Sequence, residues 1–246
     1  MLRTILLVII AILYLLLTLP VLLVLMLIRK KNPETCGRIA NAMIRWIFRV
    51  IGFFAGAKVT VRGLEHIPED QAVLYVANHR SIFDIILVHP YTKGRTGFVA
   101  KSSLAKVPLF STWCKFIGCL FFDRDNMREG IQMIRDGVSL LEQGNSVFIF
   151  PEGTRSKAED DLPLLPFHEG SFRIATKNNR LIIPVAINNT AAVFEKQMPS
   201  IKSRPIVIEF CEPIDPSTLS REQKKQLGAI CSEQITAVIS QNKARL

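Results

Sequence analysis

The sequence predicts an α/β fold in which helices flank a mostly parallel central sheet, preceded by an N-terminal two-helix membrane-binding segment. Three observations lead to this prediction. From residue 58 onward, short apolar runs alternate with helical patterns, as in sheets whose strands are joined by crossover helices. The first 55 residues instead contain one long apolar run and one basic amphipathic stretch. Polar residues suited to chemistry directly follow several of the predicted strands.

Residues 1–57 are predicted to anchor the chain to a membrane. An apolar helix over residues 4–28 holds roughly 24 consecutive, mostly apolar residues, and its ~36 Å length exceeds the ~30 Å hydrocarbon core of a bilayer. The basic triplet Arg29-Lys30-Lys31 follows, which predicts that the rest of the chain lies on the cytoplasmic side of the cell membrane. A single span is the simpler interpretation. Because Pro20 can kink the helix, a hairpin dipping into one leaflet stays open.

A second helix is predicted over residues 36–55. Its apolar residues recur at helical spacing, and Arg38, Arg45 and Arg49 gather on another side. A basic amphipathic helix that contains aromatic residues is typical of an element lying in the headgroup region. The alternative is a helix packed on the globular part of the chain, with its arginines solvated.

The charge distribution indicates membrane lipids as partners and argues against nucleic acid. The net charge is +10. Residues 1–58 contain eight Lys or Arg against one Glu, so most of the excess flanks the apolar run, where an anionic lipid surface would meet it. The five cysteines are scattered without a C-x-x-C pair. This pattern predicts a reducing compartment, with neither a disulfide framework nor a metal site.

The remainder of the chain is predicted to alternate between strands and helices. A polar loop over residues 157–166 is predicted to be mobile or folded over a site. Strands are predicted at residues 59–63 (with a turn), 72–77, 98–100, 120–122, 146–150, 182–187 and 206–210, and helices after Ser81 and at residues 108–116, 127–143, 170–178 and 220–245.

The stretch Asn78 to Asp84 carries the main chemical signal. It follows a predicted buried strand, and Ser81 with Asp84 forms a capping pattern ahead of a helix. Residues five apart on one helix point about 140° away from each other, so His79 must lie in the preceding turn to reach Asp84. Asp84 could then accept a hydrogen bond from one imidazole nitrogen and leave the other free as a base. The alternative is a surface histidine beside a capping aspartate.

Two further polar motifs follow predicted strands. Arg124 comes after residues 120–122, and Glu152-Gly153-Thr154-Arg155 comes after residues 146–150. In open α/β sheets, ligands bind at the carboxyl ends of the strands. An arginine there suits a phosphate because of its fork geometry, although a lone arginine such as Arg124 more commonly forms surface ion pairs.

Together these motifs resemble the glycerolipid acyltransferases. The resemblance covers about residues 58–212 and is greatest to the bacterial 1-acylglycerol-3-phosphate acyltransferases. It rests on the His-x4-Asp stretch, the Glu-Gly-Thr-Arg block, a Gly-x-x-Phe-x-x-Arg block and the Pro184-Val185-Ala186 block. One departure is His168, where the family usually has lysine. His66 and His89 match no motif and are predicted to lie on the surface.

The resemblance implies that residues 58–246 form an acyltransferase catalytic domain. It further implies transfer of a fatty acyl group from acyl-CoA or acyl-carrier protein to the sn-2 hydroxyl of lysophosphatidic acid, giving phosphatidic acid. No metal or other cofactor is expected, and the sequence leaves the oligomeric state open. The implied catalytic residues are His79 and Asp84, and the implied substrate-binding residues are Asn78, Lys101, Gly118, Arg124, Glu152, Gly153, Thr154 and Arg155.

Three alternatives stay open. The acceptor could be glycerol-3-phosphate, another lysophospholipid or a lyso-aminolipid. A thioesterase or lipase would use water instead, but the chain contains no Gly-x-Ser-x-Gly motif. A non-catalytic membrane tether would have no use for His79, Asp84 and Glu152 at ligand-binding positions.

Overall fold

The computed structural model describes residues 1–244. Seven strands form one sheet with the order β1-β7-β6-β2-β5-β3-β4. Five of its six strand pairings are parallel, and the pairing of β6 with β7 is antiparallel. The predicted α/β class and mostly parallel sheet are therefore confirmed. The strands are β1 Ala57–Arg62, β2 Leu74–Ala77, β3 Thr96–Lys101, β4 Leu120–Phe122, β5 Ser146–Ile149, β6 Ile182–Asn188 and β7 Arg204–Phe210.

The helices cover both faces of the sheet. They are α1 Leu2–Leu17, α2 Leu19–Ile28, α3 Pro33–Ala55, α4 Phe83–Val88, α5 Phe110–Phe116, α6 Met127–Glu142, α7 Arg173–Thr176, α8 Arg221–Lys224 and α9 Leu227–Lys243.

The central strands are apolar throughout because both of their faces are buried. In β2, Tyr75 and Ala77 point into an apolar cluster on the face covered by α4 and α1. Leu74 and Val76 point into a second cluster on the opposite face, with residues of α6, α7 and α9. All four side chains are fully buried. This two-sided burial fixes the register of β2 and hence the position of the turn that follows it.

The predicted apolar helix over residues 4–28 is divided in two. Helices α1 and α2 meet at Thr18 with a bend of 45°. Two local causes account for the break: the Thr18 hydroxyl donates a hydrogen bond to the Tyr14 carbonyl, and Pro20 has no N–H to continue the helical ladder. Within residues 1–244, no helix reaches the length and hydropathy of a membrane span by itself, and α1 and α2 reach both only as a bent pair.

Helix α3 packs against α1, α2, α4 and α5. Its inward face carries Ala40, Ile44 and Ile47, all buried. Ala40 and Ile44 pack with Leu22 of α2 and Trp113 of α5 in one apolar cluster. The helix ends at Gly56, which adopts a left-handed conformation with φ 72° that glycine accommodates without strain.

The predicted C-terminal helix is also divided. Ser220 and Gln223 form the predicted capping pattern as a reciprocal capping box, but the helix it opens, α8, is only four residues long. Helix α9 follows after a break at Lys225 and Gln226. Arg245, the last residue of the predicted helix, lies outside the described residues, as does Leu246.

The surface position predicted for His89 is wrong. His89 follows α4 and is fully buried, where its ring meets Phe48 of α3 and Phe98 of β3 at centroid distances of 5.6 and 5.4 Å. His66 is half-buried, and its Nδ1 lies 2.7 Å from the carbonyl oxygen of Phe210.

Candidate active site

The turn between β2 and α4 brings His79 and Asp84 together. His79 Nδ1 lies 2.8 Å from Asp84 Oδ2, which is the contact that the sequence predicts. Because a carboxylate only accepts hydrogen bonds, the imidazole proton lies on Nδ1 and leaves a lone pair on Nε2. Nε2 makes no hydrogen bond within residues 1–244. The ring stacks on Phe150 at the end of β5, with 4.1 Å between centroids, so its orientation is fixed from two sides.

The Asp84 carboxylate is fully buried and accepts from four donors. Its Oδ2 accepts from the backbone N–H groups of Arg80 and Ser81, at 2.7 and 2.8 Å, as well as from His79. Its Oδ1 accepts from the Thr190 hydroxyl at 2.5 Å. Four donors leave the carboxylate no freedom to rotate away from the imidazole, and a buried carboxylate needs such partners.

The predicted capping pattern is present in altered form. Helix α4 begins at Phe83 rather than at Ile82, and the Ser81 hydroxyl accepts from the Phe83 N–H at 3.0 Å. Asp84 returns the contact by accepting from the Ser81 N–H. The same Ser81 hydroxyl donates to Glu195 Oε2 at 2.5 Å, so it is directed away from the imidazole and toward the segment after β6.

Two residues implied to bind substrate, Asn78 and Glu152, form hydrogen bonds with the protein backbone. Asn78 is fully buried, and its side-chain amide donates to the Ile187 carbonyl and accepts from the Ile187 N–H, at 2.8 and 2.9 Å. It extends the pairing of β2 with β6 by one step. Glu152 Oε1 accepts from the His79 N–H at 2.6 Å, and its Oε2 accepts from the Leu165 N–H at 3.0 Å. Substrate contact by these two residues stays a prediction.

Glu152 joins three parts of the site. Its carboxylate links the histidine turn after β2 to the loop over residues 157–166 and to its own position after β5. Burial raises the pKa of the Glu152 carboxyl, while the two backbone N–H donors act in the opposite direction. The loop is further held by the Ser156 N–H, which donates to the His79 carbonyl at 2.8 Å. The loop therefore folds over the histidine turn, one of the two predicted arrangements.

The Glu-Gly-Thr-Arg block ends in exposed side chains beside this turn. Thr154 and Arg155 are exposed, and Arg155 Nη1 lies 3.0 Å from Glu195 Oε1. Gly153 has φ 69°, and a Cβ there would lie 3.2 Å from the His168 ring. His168, where the sequence departs from the family pattern, thus lies directly beside the block.

Comparison with known proteins assigns the family. The model of the acyltransferase family matches residues 58–188. The 1-acyl-sn-glycerol-3-phosphate acyltransferase of Haemophilus influenzae is 30% identical over 211 residues, which make up 84% of this chain and 82% of that one. The chain belongs to the acyltransferase family. Accordingly, the protein is an O-acyltransferase.

One more relative and one solved structure support this assignment, and the solved structure covers the whole of this chain. The 1-acyl-sn-glycerol-3-phosphate acyltransferase of Escherichia coli is 29% identical over 177 residues, covering 72% of this chain and 70% of that one. The crystal structure of PlsC from Thermotoga maritima, a 1-acyl-sn-glycerophosphate (LPA) acyltransferase, superposes with a TM-score of 0.84 at 26% identity. It covers 100% of this chain and 96% of that chain.

Of the three predicted site residues that remain, Lys101 and Arg124 lie farther along the same sheet edge, whereas Gly118 precedes β4 and lies toward the opposite edge. Lys101 ends β3 and is exposed, and Arg124 is exposed just beyond β4. Since β2, β5, β3 and β4 are parallel neighbours, the ends of β3 and β4 lie about 10 and 14 Å along the edge from the end of β2. Gly118 has φ 84° and packs its carbonyl against Gly97. Its conformation shapes the backbone before β4, and its role in substrate binding stays a prediction.

Three residues around the acyltransferase site have no counterpart among the sequence predictions. Thr190 and Glu195 follow β6 and reach the turn from 106 and 114 positions away. Arg80 is buried and donates to the Ala158 carbonyl of the folded loop. The sequence Asn188-Asn189 indicates that the strand containing Pro184-Val185-Ala186 ends just before Thr190. However, nothing in the local sequence predicts that the segment after this strand contacts the turn of His79.

Proposed function

We propose that this acyltransferase moves a fatty acyl group from an acyl thioester, acyl-CoA or acyl-carrier protein, to the sn-2 hydroxyl of 1-acylglycerol-3-phosphate. The observation that carries the proposal is the 2.8 Å contact of His79 Nδ1 with the four-donor Asp84 carboxylate, which leaves Nε2 as a base. The Ser81 hydroxyl is bonded to Glu195, so the nucleophile for this base is the hydroxyl of the acceptor. The names and coverage of the relatives support this acceptor.

The mechanism follows from these two side chains. His79 Nε2 takes the proton of the acceptor hydroxyl as its oxygen attacks the thioester carbonyl, and Asp84 stabilises the imidazolium that forms. When the tetrahedral intermediate collapses, the C–S bond breaks and the imidazolium returns its proton to the leaving thiolate. The result is one new ester bond and one free thiol, with no acyl-enzyme.

The exposed cations of the same edge would position the acceptor. Arg155 is nearest to the turn, through Glu195, and Lys101 and Arg124 lie beyond it. Arginine binds phosphate with charge-assisted, bidentate hydrogen bonds. Holding the acceptor hydroxyl against Nε2 in this way could supply up to roughly 7–11 kcal/mol of the barrier reduction.

We further propose that α1 and α2 attach the enzyme to the cell membrane, with the catalytic domain on the cytoplasmic side. Helices α1 and α2 expose many large apolar side chains, among them Leu17 and Leu27 at 76% and 82% exposure. Apolar patches of this kind usually mark a membrane or protein contact. The basic triplet Arg29-Lys30-Lys31 directly after α2 supports the orientation.

The proposed reaction is tested with purified enzyme, lysophosphatidic acid and each donor, with the product identified by mass spectrometry. We expect phosphatidic acid from the wild type and a loss of at least about 100-fold in kcat for His79→Ala, because general-base catalysis contributes about 10²–10⁴-fold. His66→Gln is the matched control and should keep wild-type turnover. Normal activity in His79→Ala would end the proposed mechanism, and preference for another acceptor in a competition assay would redirect the substrate.

A further inference from the structure

The Glu195 carboxylate sits at the junction of the histidine turn and the Glu-Gly-Thr-Arg block. Its Oε2 accepts from the Ser81 hydroxyl at 2.5 Å. Its Oε1 accepts both from the Ile82 N–H at 2.9 Å and from Arg155 Nη1 at 3.0 Å. Two of the three contacts are therefore to the turn that carries His79, and the third is to a cation of the proposed phosphate site.

The two partners of this ion pair are held very differently. The Glu195 side chain is 20% exposed, whereas that of Arg155 is 52% exposed. Besides its bond with Arg155, Glu195 has two contacts with the turn, through Ser81 and Ile82. Arg155, by contrast, makes no side-chain hydrogen bond other than that to Glu195 within residues 1–244. The guanidinium is thus the group that is free to move, and the carboxylate is the group that stays.

We infer that Glu195 is the resident counter-ion of Arg155, and that the acceptor binds by drawing Arg155 from Glu195 onto its phosphate. This inference rests on the proposed function, in which Arg155 binds the acceptor phosphate. A phosphate monoester carries close to two negative charges at neutral pH and accepts both arms of the guanidinium fork, whereas Glu195 engages one nitrogen with one oxygen. The phosphate is therefore the stronger partner.

The exchange sets the acceptor affinity without taking part in the chemistry. Every phosphate ligand must break the same Arg155–Glu195 pair and then lie near the remaining carboxylate, so its affinity is lowered by a common factor. Such uniform binding effects change KM rather than kcat. Glu195 is accordingly a residue that tunes KM, and it reduces occupation of the site by free inorganic phosphate.

The test compares Glu195→Gln, Arg155→Gln and the double variant with wild type. Glu195→Gln keeps an oxygen that can accept from the turn but removes the charge that holds Arg155. Glu233→Gln, an exposed residue on α9, loses the same charge away from the site and serves as the control. Affinity for inorganic phosphate is measured from its stabilisation of the folded protein against heat, and KM and kcat are measured with lysophosphatidic acid.

We expect Glu195→Gln to bind inorganic phosphate about two- to fivefold more tightly than wild type, from the usual strength of exposed ion pairs. The KM for the acceptor should fall by a similar factor without a rise in kcat. In the Arg155→Gln background the same change should have a clearly smaller effect on phosphate affinity, because only the repulsion by the Glu195 carboxylate is then removed and coupled residues are not additive. Unchanged or weaker phosphate binding by Glu195→Gln, or an equal gain in the absence of Arg155, would overturn the inference.

Three further cases keep the outcomes distinct. If Glu195→Gln fails to fold, the exchange is tested in a crystal of the wild-type enzyme soaked in phosphate. Separation of Arg155 from Glu195, with Glu195 still bonded to the Ile82 N–H, supports the exchange. Phosphate bound beside an intact Arg155–Glu195 pair refutes it. If the wild type does not acylate lysophosphatidic acid, the proposed function fails while phosphate binding still tests the exchange. If phosphate does not stabilise the wild type, the exchange fails whatever the turnover.

Discussion

At the scale of single residues, the site divides into groups near each other in sequence and groups brought in from afar. The contact of His79 with Asp84 follows from a strand, a turn and a helix start, all readable within seven residues. Thr190 and Glu195 contact the same turn from more than 100 positions away. Their positions depend on β6 pairing with β2, which no local pattern specifies.

Asn78 and Glu152 show that residues of a recognisable motif can have contacts that the motif does not predict. Both belong to the motifs of the candidate active site, and the side chains of both form hydrogen bonds with backbone groups. A motif tells which residues occur together, but not which of them face a ligand. The difference arises because a turn that must hold a base rigidly leaves buried N–H and C=O groups that need partners.

His89 gives a prediction about acid stability. Its ring is packed between Phe48 and Phe98, and neither ring nitrogen has a well-formed hydrogen bond within residues 1–244. Burial, together with the charge of Arg45, lowers the pKa of His89 from its ordinary 6.5 to about 3. Between these two values the unfolded chain binds the proton and the folded protein does not. The free energy of unfolding therefore falls as pH drops below 6.5, by up to about 1.4 kcal/mol per pH unit.

The substitution His89→Leu should remove this dependence, because leucine fills the pocket without a titratable group. Urea unfolding of the wild type and the variant at pH 7 and pH 5 measures the pH dependence of the free energy of unfolding. The free energy of unfolding of the variant relative to wild type should rise by about 1–2 kcal/mol on going to the lower pH. A difference between the two proteins that stays the same at both pH values would contradict the assignment.

At the scale of elements, the period and length of apolar runs predict all seven strands. The errors of the sequence prediction lie at the ends of helices and at breaks within predicted helices. The division between α1 and α2 depends on a threonine hydroxyl and a proline acting together, and the break before α9 follows no proline or glycine. The β3–β4 junction shows a further feature that sequence does not display, a backbone contact that excludes any side chain.

This contact gives a prediction for Gly97. A Cβ on Gly97 would lie 2.1 Å from the carbonyl oxygen of Gly118, and backbone atoms of a paired strand cannot move aside easily. Gly97→Ala should therefore destabilise the protein by at least about 1–3 kcal/mol, the usual cost of overpacking. The control is Gly130→Ala in α6, where nothing lies within 4 Å of the added Cβ. That change should be neutral or should stabilise by about 0.5–1 kcal/mol.

Urea unfolding of the two alanine variants separates the effects. Because Lys101 ends the same strand as Gly97, Gly97→Ala should also raise the KM for the acceptor if Lys101 helps to bind it. Equal stability of the two variants would show that the strands can separate at little cost and that Gly97 is not required there.

At the scale of the whole molecule, the residues of the proposed chemistry and those of the proposed membrane attachment lie on different surfaces. The carboxyl edge of β2, β5, β3 and β4 carries the base and the cations. One face of the sheet packs against α1, α4 and the end of α3, while α6 covers the opposite face. If α1 and α2 hold the enzyme against the bilayer, the proposed lipid acceptor would reach the carboxyl edge of the sheet from the membrane. The proposed thioester donor would reach the same edge from the solvent.

The attachment can be tested without disturbing the fold, because the residues concerned are exposed. Leu17 and Leu27 are 76% and 82% exposed, so aspartate at both positions removes no buried contact. Each charge placed in the hydrocarbon region costs about 2.5–3.5 kcal/mol. The double variant Leu17→Asp/Leu27→Asp should therefore lose most of its binding to vesicles of phosphatidylethanolamine and phosphatidylglycerol in a flotation assay, while its unfolding temperature stays at the wild-type value.

The matched control is Met127→Asp together with Ile131→Asp, which places the same two charges on exposed residues of α6 on the opposite side of the sheet. It should float with the vesicles as wild type does. Release of the control together with the double variant would mean that added negative charge alone detaches the enzyme from an anionic surface. Retention of the double variant would mean that α1 and α2 do not enter the hydrocarbon. The basic triplet Arg29-Lys30-Lys31 would then be a route to the anionic lipid surface. Raising the salt concentration would release the protein in that case, since screening weakens that contact.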